Sequence, residues 1–210
     1  MRTTLLLDVD GTLIDSYPGI REGFLLGLDA VDWQHPDEEF IRRIPGPPMT
    51  ETFAQLGMTP EQNERAMAAY STYMAGEGWS NFTVFDGMAE LVAEFKAEGY
   101  EVVTATSKGE SFARKALERA GIYRHIDFLG AAQEHGPRKR KVDVIAHVLD
   151  TVSPEKPLMI GDRRHDFEGA AHFGIASVAV TWGYADAREY DLATYIAHTA
   201  EELKDIINGF

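Results

Sequence analysis

The stretch Thr3–Leu7, followed by Asp8-Val9-Asp10-Gly11, constrains the fold of this chain more than any other. A continuous apolar run that ends abruptly in acids and a glycine is typical of a fully buried parallel strand that stops at a polar edge. In open α/β sheets, ligands bind at that edge. Two carboxylates one residue apart repel each other when half-buried, so we expect a divalent cation or a shared proton beside them. An acidic turn without chemistry is the alternative, because Asp and Gly are ordinary turn residues.

Composition restricts the class of protein. A chain of 210 residues fits one domain, or a core domain with a modest insertion. Its 34 acidic residues outnumber its 20 Lys and Arg, and the net charge of −14 argues against nucleic-acid and membrane partners. With no cysteine, the chain has no disulfide, no thiolate zinc site and no cysteine nucleophile. No apolar run approaches the ~18 residues of a membrane span or has the form of a signal peptide, so we expect a cytoplasmic protein.

Residues from 16 to about 82 have helical spacing and contain no convincing strand. Ser16 is a candidate N-cap, with Pro18 in the first turn of the helix that follows. The sequence Pro45-Gly46-Pro47-Pro48 excludes regular structure in the middle of the block. We therefore predict that residues 15–83 form an inserted, all-helical cap domain.

From Asp86 onwards, strands alternate with single amphipathic helices. Such alternation favours a doubly wound parallel sheet of the Rossmann-like α/β class. Residues 1–14 and 84–210 are predicted to form this core domain. The strands predicted after the first are Tyr100–Ala105, Ile126–Leu129, Pro157–Ile160 and Ile175–Val180, with Tyr195–Ala197 as a further candidate.

Three of the predicted strands end in polar residues: Asp8 and Asp10 after the first, Thr106 and Ser107 after the second, and Asp162 after the fourth, with Asp166 one helical turn further on. Hard oxygen ligands of this kind suit Mg²⁺, which prefers carboxylates, water and phosphate. The basic run 138–141 supplies a cation for an anionic ligand. If Lys141 begins its helix at this edge, its ammonium and the helix N-terminus both favour an anion there.

Four segments, in order, resemble the four motifs of the haloacid dehalogenase superfamily: Asp8-Val9-Asp10-Gly11-Thr12-Leu13, Thr106, Lys141 and Gly161-Asp162-Arg163-Arg164-His165-Asp166. The resemblance covers essentially the whole chain, and four motifs in order at strand or helix ends are far more specific than any one of them. The helical block resembles the cap of the phosphoglycolate phosphatase branch. The resemblance implies a phosphatase whose cap selects the leaving group.

The same resemblance implies roles for four acids. Asp8 would be the nucleophile that takes the phosphoryl group, and Asp10 the acid that protonates the leaving oxygen and later activates water. Mg²⁺ would be bound by the carboxylates of Asp8 and Asp162 and by the main-chain carbonyl of Asp10. Asp166 would orient a water molecule or Lys141 without binding the metal directly.

Phosphate binding is assigned by resemblance to Thr106, Lys141 and main-chain amides such as that of Ser107. Lys139 is an alternative to Lys141, although only Lys141 directly precedes the amphipathic helix.

The loop at Gly46, preceded by Arg42 and Arg43, is a candidate substrate-facing part of the cap. A simple helix-breaking connection explains the same residues equally well. Hinges of the cap are expected near Asp15-Ser16 and near Asp86-Gly87, where the chain enters and leaves the helical block.

The expected function is Mg²⁺-dependent hydrolysis of a small phosphomonoester, such as phosphoglycolate or a nucleoside monophosphate, through an aspartyl phosphate. The presence of Asp10 argues against a dehalogenase or a phosphonate hydrolase. A sugar phosphomutase of the β-phosphoglucomutase type shares the acid pair and the cap and stays open. A non-catalytic module that binds a phospho-ligand is the alternative from a different class, and the complete set of motif residues argues against it. The sequence leaves the substrate and the oligomeric state undecided.

Overall fold

In a computed structural model, residues 2–210 are described, and these residues contain eight strands and nine α-helices. The strands are β1 (Thr3–Leu7), β2 (Ile14–Asp15), β3 (Thr83–Val84), β4 (Glu101–Gly109), β5 (Phe128–Ala132), β6 (Lys156–Gly161), β7 (Ala176–Val180) and β8 (Tyr195–Ala197). The helices are α1 (Tyr17–Asp29), α2 (Glu38–Arg42), α3 (Met49–Gln55), α4 (Pro60–Gly76), α5 (Met88–Ala97), α6 (Glu110–Arg119), α7 (Lys141–Val152), α8 (Arg164–His172) and α9 (Ala200–Gly209).

Six strands form one sheet in the order β5-β4-β1-β6-β7-β8, and every neighbouring pair is parallel. Strand β1 lies at the centre, where Leu6 pairs with Val103 of β4 and with Met159 of β6. The predicted doubly wound parallel sheet is thereby confirmed. Because β4, β1 and β6 are neighbours, the polar residues that follow or end these three strands lie at one edge of the sheet.

The central strand is apolar from Leu5 to Leu7 because both of its faces are covered. On one face, Leu6 packs in a cluster with residues of β4, β6, α7 and α8. On the other face, Leu5 and Leu7 are also buried, with exposed fractions of 0% and 2%. Alternate residues of a strand point to opposite faces, so a strand buried on both sides favours apolar residues at consecutive positions.

Contacts divide the chain into two compact units: a sheet unit, which runs up to Asp15 and resumes at Thr83–Phe210, and a helical unit, Ser16–Phe82. Each limit lies one residue from the domain limits expected from the sequence. Strands β2 and β3 form a short antiparallel ribbon in the sheet unit, in which Asp15 pairs with Thr83. The sequence did not predict this ribbon because strands of two residues have no readable periodicity.

The helical unit is built around an apolar core shared by α1, α3 and α4. Phe24 of α1 stacks on Phe53 of α3, with ring centroids 5.4 Å apart. A side chain at Gly27 would not fit, since a Cβ there would lie 2.5 Å from Phe53 Cζ. Thr59 caps α4 through a reciprocal pair of hydrogen bonds with Gln62. The helical spacing predicted for residues 16–82 is confirmed, since this block consists of helices and connecting segments.

Three details of the sheet unit differ from prediction. The second predicted strand, Tyr100–Ala105, is longer than expected and continues to Gly109. The third lies at Phe128–Ala132 instead of Ile126–Leu129, because its last three residues are Gly and Ala, which have low strand propensity. Glycine fits at position 130, where a Cβ would lie 2.3 Å from the Thr104 carbonyl oxygen of β4. Helix α9 was not predicted. Among residues 2–210, no helix has the length and apolar character needed to cross a membrane.

Candidate functional site

Three carboxylates and one ammonium meet at the carboxyl edge of the sheet. Asp8 follows β1, Asp162 follows β6, Asp166 lies in the first turn of α8 and Lys141 is the first residue of α7. Each of the three acids has one carboxylate oxygen within 4.8 Å of the others. We call Asp8, Asp162 and Asp166 the carboxylate cluster. All three acids and Lys141 are buried.

Lys141 joins two of the acids. Its Nζ lies 2.8 Å from Asp8 Oδ1 and 2.7 Å from Asp166 Oδ1, and it donates a hydrogen bond of 2.7 Å to the carbonyl of Ala105. The three N–H bonds of an ammonium are therefore matched by three oxygen atoms. Lys139, the alternative lysine, is exposed and donates to the carbonyl of Glu134. The structure thus brings Lys141, and not Lys139, to the carboxylate cluster.

Asp162 is held in an unusually tight environment. Its Oδ2 accepts a 2.7 Å hydrogen bond from the Tyr184 amide. A Cβ at Gly11 would lie 2.2 Å from Asp162 Oδ2, and a Cβ at Gly183 would lie 2.3 Å from the same atom. Glycine is required at position 11 for a second reason, since its φ of +80° lies in the left-handed region. Asp162 Oδ1 is buried and has no hydrogen-bond partner in the described part of the chain.

Asp166 contributes to the cluster from the start of α8. Its Oδ2 accepts a 3.0 Å hydrogen bond from the amide of Arg163, the N-cap residue of α8. A Cβ at Gly161 would lie 2.3 Å from Asp166 Cγ, so this glycine lets the helix approach β6. Fixed in this way, Asp166 Oδ1 faces Lys141. The sequence suggested that Asp166 orients either water or Lys141, and this contact corresponds to the second of these roles.

Burial and mutual repulsion govern the charges of the cluster. Burial raises the pKa of Asp8 to about 6, and the neighbouring Lys141 only partly offsets this effect. The pKa of Asp162 is raised well above its usual range by burial and then by the charges of Asp166 and Asp8. Burial works to lower the pKa of Lys141, but Asp166 and Asp8 together raise it above its ordinary value. The ammonium therefore stays protonated, while the carboxylates lack sufficient compensation.

A divalent cation would balance the excess negative charge of the carboxylate cluster. Three ionised carboxylates and one ammonium leave two uncompensated negative charges in a buried place. The unpartnered Asp162 Oδ1 is the oxygen atom most clearly in need of a positive partner. Carboxylate oxygens are the ligands preferred by Mg²⁺ and other hard cations.

The side chain of Asp10 takes no part in the carboxylate cluster. Its two oxygens lie 2.9 and 3.1 Å from Lys108 Nζ, and both side chains are largely buried, with exposed fractions of 16% and 8%. Sequence reasoning missed this role of Lys108. The metal role expected for Asp10 concerns its main-chain carbonyl, so the ion pair does not compete with it.

A local irregularity of β4 explains how Lys108 reaches Asp10. Thr106 pairs with Ala131, but the next paired residues are Gly109 and Ala132, so Ser107 and Lys108 bulge out of the ladder. The Lys108 amide donates to Thr106 Oγ1 at 3.2 Å, which stabilises the bulge. Bulges commonly redirect side chains near active sites. The sequence signal for this bulge was absent, because Thr106-Ser107-Lys108 is equally typical of a strand end.

The candidate cap residues Arg42, Arg43 and Gly46 all lie in the helical unit. Arg42 ends α2, and Arg43 pairs with Glu39 one helical turn earlier at 2.9 Å. Gly46 has a φ of +116°, so the turn between Pro45 and Pro47 requires glycine.

Comparisons with known proteins agree with this geometry. Residues 5–180 match the family model described as haloacid dehalogenase-like hydrolase. The chain is 38% identical over 209 residues to the tyrosine-protein kinase PtkA of Mycobacterium tuberculosis, covering 97% of this chain and 72% of that protein. It is 32% identical over 188 residues to a 5'-nucleotidase of Pseudomonas aeruginosa, covering 88% and 85% of the two chains.

Among solved structures, the chain is similar over its full length to the crystal structure of a predicted phosphatase from Clostridium acetobutylicum, with a TM-score of 0.94, 29% identity and 100% of each chain covered. The motif order, the parallel sheet and these matches agree with one another. This chain is therefore a member of the haloacid dehalogenase-like hydrolase family, as its motifs indicated.

Proposed function

We propose that this phosphatase hydrolyses small phosphomonoesters through an aspartyl phosphate formed on Asp8, with Mg²⁺ bound at the carboxylate cluster. The observation that carries the proposal is the buried cluster itself, in which Asp8 lies beside both Lys141 and two further carboxylates. Such an arrangement has little value for stability, because buried charges are costly to desolvate. It is well suited to hold a cation next to a nucleophile.

Asp8 and Asp162 would ligate Mg²⁺ through their carboxylates, and Asp10 would do so through its main-chain carbonyl. Asp166 would act mainly through Lys141, which it contacts at 2.7 Å. The bound ion would supply positive charge to the phosphoryl oxygens and to the nucleophile. Calcium should substitute poorly, because its larger and looser coordination shell suits in-line transfer less well.

In the first step, an Asp8 oxygen attacks phosphorus while Asp10 gives a proton to the leaving oxygen, and the bond between phosphorus and that oxygen breaks. In the second step, Asp10 takes a proton from water, the water oxygen attacks phosphorus, and the bond to Asp8 breaks to release phosphate. Thr106, Lys141 and the Ser107 amide would hold the phosphoryl oxygens during both steps. Lys141 already lies within 2.8 Å of the nucleophilic carboxylate.

The helical unit would serve as the cap that selects the leaving group, with the loop at Arg42, Arg43 and Gly46 facing it. Motion near Asp15-Ser16 and Asp86-Gly87 would open and close the site. Replacing Arg42 with Ala should then change the ratio of kcat/KM between a metabolite and a small aryl phosphate. Replacing Arg119, which is exposed on α6 of the sheet unit, provides the matched control. Equal losses on every substrate would contradict the role of the loop.

A second candidate function is phosphoryl transfer to a tyrosine. The observation that favours it is the 38% identity to a protein named as a tyrosine kinase. An Asp8 oxygen would attack the terminal phosphorus of a nucleoside triphosphate, and the nucleoside diphosphate would leave. A tyrosine hydroxyl would then give its proton to Asp10 and attack phosphorus in place of water, and the bond to Asp8 would break. A sugar phosphomutase would likewise differ only in the acceptor.

The decisive experiment is a phosphate-release screen over nucleoside monophosphates, phosphoglycolate and sugar phosphates, with Mg²⁺ or with excess chelator. We expect Mg²⁺-dependent release by the wild-type protein and none by Asp8→Asn. Rapid acid quench and intact-protein mass should detect one phosphoryl group on the wild-type enzyme, mapped to Asp8. Full activity in excess chelator, or normal turnover by Asp8→Asn, would contradict the proposal. A parallel assay with ATP and a tyrosine peptide tests the second candidate through phosphotyrosine formation.

A further inference from the structure

The two oxygens of Asp162 have different environments. Oδ2 accepts the 2.7 Å hydrogen bond from the Tyr184 amide, whereas Oδ1 is buried and without a partner in residues 2–210. A carboxylate with one oxygen fixed by an amide can present the other in a defined direction. The direction of Asp162 Oδ1 therefore depends on the position of the Tyr184 amide.

Two side chains and one glycine set the position of that amide, all in the loop after β7. The indole Nε1 of Trp182 donates to the Thr12 carbonyl at 3.1 Å. Gly183 lies so close to the turn after β1 that a Cβ would be 2.4 Å from the Gly11 carbonyl oxygen. The Tyr184 hydroxyl donates to Asp15 Oδ1 at 2.9 Å. The loop is thus fastened on both sides of the Tyr184 amide.

We propose that Tyr184 is a positioning residue for the cation site. Its hydroxyl, anchored on Asp15, holds its amide against Asp162 Oδ2, and Asp162 Oδ1 is thereby directed to the cation. The inference rests on the proposed function only in that it takes the carboxylate cluster to be a cation site.

The anchor residue Asp15 belongs to the sheet unit. Asp15 is the last residue of the sheet unit before the helical unit begins at Ser16. It also pairs with Thr83 in the β2–β3 ribbon. Every residue in this proposal therefore belongs to the sheet unit, and no residue of the helical unit is a ligand in it.

The effect should be measurable without turnover. Groups that hydrogen-bond to metal ligands typically change metal affinity by about 10–100-fold when they are removed. The Tyr184 hydroxyl acts one step further away, through the amide of its own residue, so a smaller effect of about 3–10-fold is expected by the same reasoning. The amide itself is retained in every variant of Tyr184 except proline.

The experiment titrates Mn²⁺ into substrate-free protein and measures free Mn²⁺ by electron paramagnetic resonance. Four variants are compared with the wild-type protein: Tyr184→Phe, Asp15→Ala, Asp15→Asn and the double variant Tyr184→Phe/Asp15→Ala. Asp15→Asn removes the charge but keeps an acceptor for the hydroxyl. Tyr195→Phe is the control, since Tyr195 is an exposed tyrosine on β8. Mg²⁺-induced shifts in Tm provide a second readout.

We expect Tyr184→Phe and Asp15→Ala each to weaken Mn²⁺ binding by about 3–10-fold, with no further loss in the double variant, because both remove the same anchor. Asp15→Asn and Tyr195→Phe should bind like the wild-type protein. Wild-type affinity in Tyr184→Phe, or losses that multiply in the double variant, would overturn the inference while leaving the proposed function intact. Failure of the wild-type protein itself to bind Mn²⁺ would overturn the metal part of both.

Discussion

In the sheet unit, several charged side chains lie in the interior, among them Asp8, Lys141, Asp162 and Asp166. In the helical unit, the buried residues of the described chain are apolar or small and neutral, and ion pairs such as Arg21 with Glu38 lie at the surface. Apolar burial stabilises a fold directly, whereas a buried charge cluster usually contributes little net stability. The comparison indicates that the sheet unit gives up stability for a buried charged site, while the interior of the helical unit contributes stability through packing of neutral side chains.

The largest expected effect tests whether the catalytic residues lie in the sheet unit. Asp10→Asn keeps the size of the side chain but removes proton transfer, which typically costs about 10²–10⁴-fold in rate. The loss should be greatest for alkyl phosphates. A nitrophenyl phosphate has an oxygen that leaves without a proton, so its first step should survive and phosphoryl-Asp8 should accumulate. Intact-protein mass after rapid quench measures this accumulation. A phosphoryl group on another residue would show that the nucleophile is misassigned.

The next effect concerns packing in the helical unit. Phe53 is fully buried against Phe24, so Phe53→Ala should lower the free energy of unfolding by about 3–5 kcal/mol. Urea denaturation monitored by tryptophan fluorescence measures the loss, with exposed Leu26→Ala as a control that should change it by less than about 0.5 kcal/mol. Mn²⁺ affinity of the folded protein should be unchanged, because no ligand group is altered. A loss of Mn²⁺ affinity in Phe53→Ala would show that packing in the helical unit affects the cation site, and would contradict the contrast drawn between the two units.

The third prediction concerns the stability of Asp162→Asn, in which the buried charge of the sheet unit is reduced. The amide removes a buried charge that Asp166 and Asp8 disfavour, yet it can still accept the hydrogen bond from Tyr184. The metal-free variant should therefore be at least as stable as the wild-type protein. Mg²⁺ at about 100 times its Kd should stabilise the wild-type protein by roughly 3 kcal/mol and the variant hardly at all. Thermal unfolding with and without Mg²⁺ measures both quantities; equal Mg²⁺ shifts would exclude Asp162 as a ligand.

The smallest effect is a dependence of stability on pH. The pKa of Asp8 is raised from 3.8 to about 6, so the native state binds a proton that the unfolded chain releases earlier. In metal-free protein this contribution is fully present below about pH 4 and is lost as the pH rises to about 6. The expected decrease in unfolding free energy is about 1–3 kcal/mol.

Denaturation at several pH values, with chelator or with Mg²⁺, measures this decrease. The difference between the wild-type protein and Asp8→Asn isolates the part that comes from Asp8. Saturating Mg²⁺ should reduce the slope, because a bound cation favours the ionised carboxylate. A slope that is identical in Asp8→Asn would assign the pH dependence to other groups.

Several features of this protein follow from the sequence alone. The apolar run of β1 predicts a strand buried on both faces, and the alternation after Asp86 predicts the parallel sheet, because both depend on local periodicity. The edge at which Asp8 and Asp162 meet also follows, since neighbouring parallel strands end on the same side. The order of the strands in the sheet, and the choice between Lys139 and Lys141, came from the structure.

Other features were decided by tertiary structure. The Lys108 contact with Asp10 needs a two-residue bulge in β4, and the Tyr184 contact with Asp162 needs Gly11 and Gly183 to bring two loops together. Residues more than 90 positions apart form the first of these contacts. No local pattern specifies such pairs, because they depend on close approaches of the backbone and on side-chain directions that are set only when the whole sheet has formed.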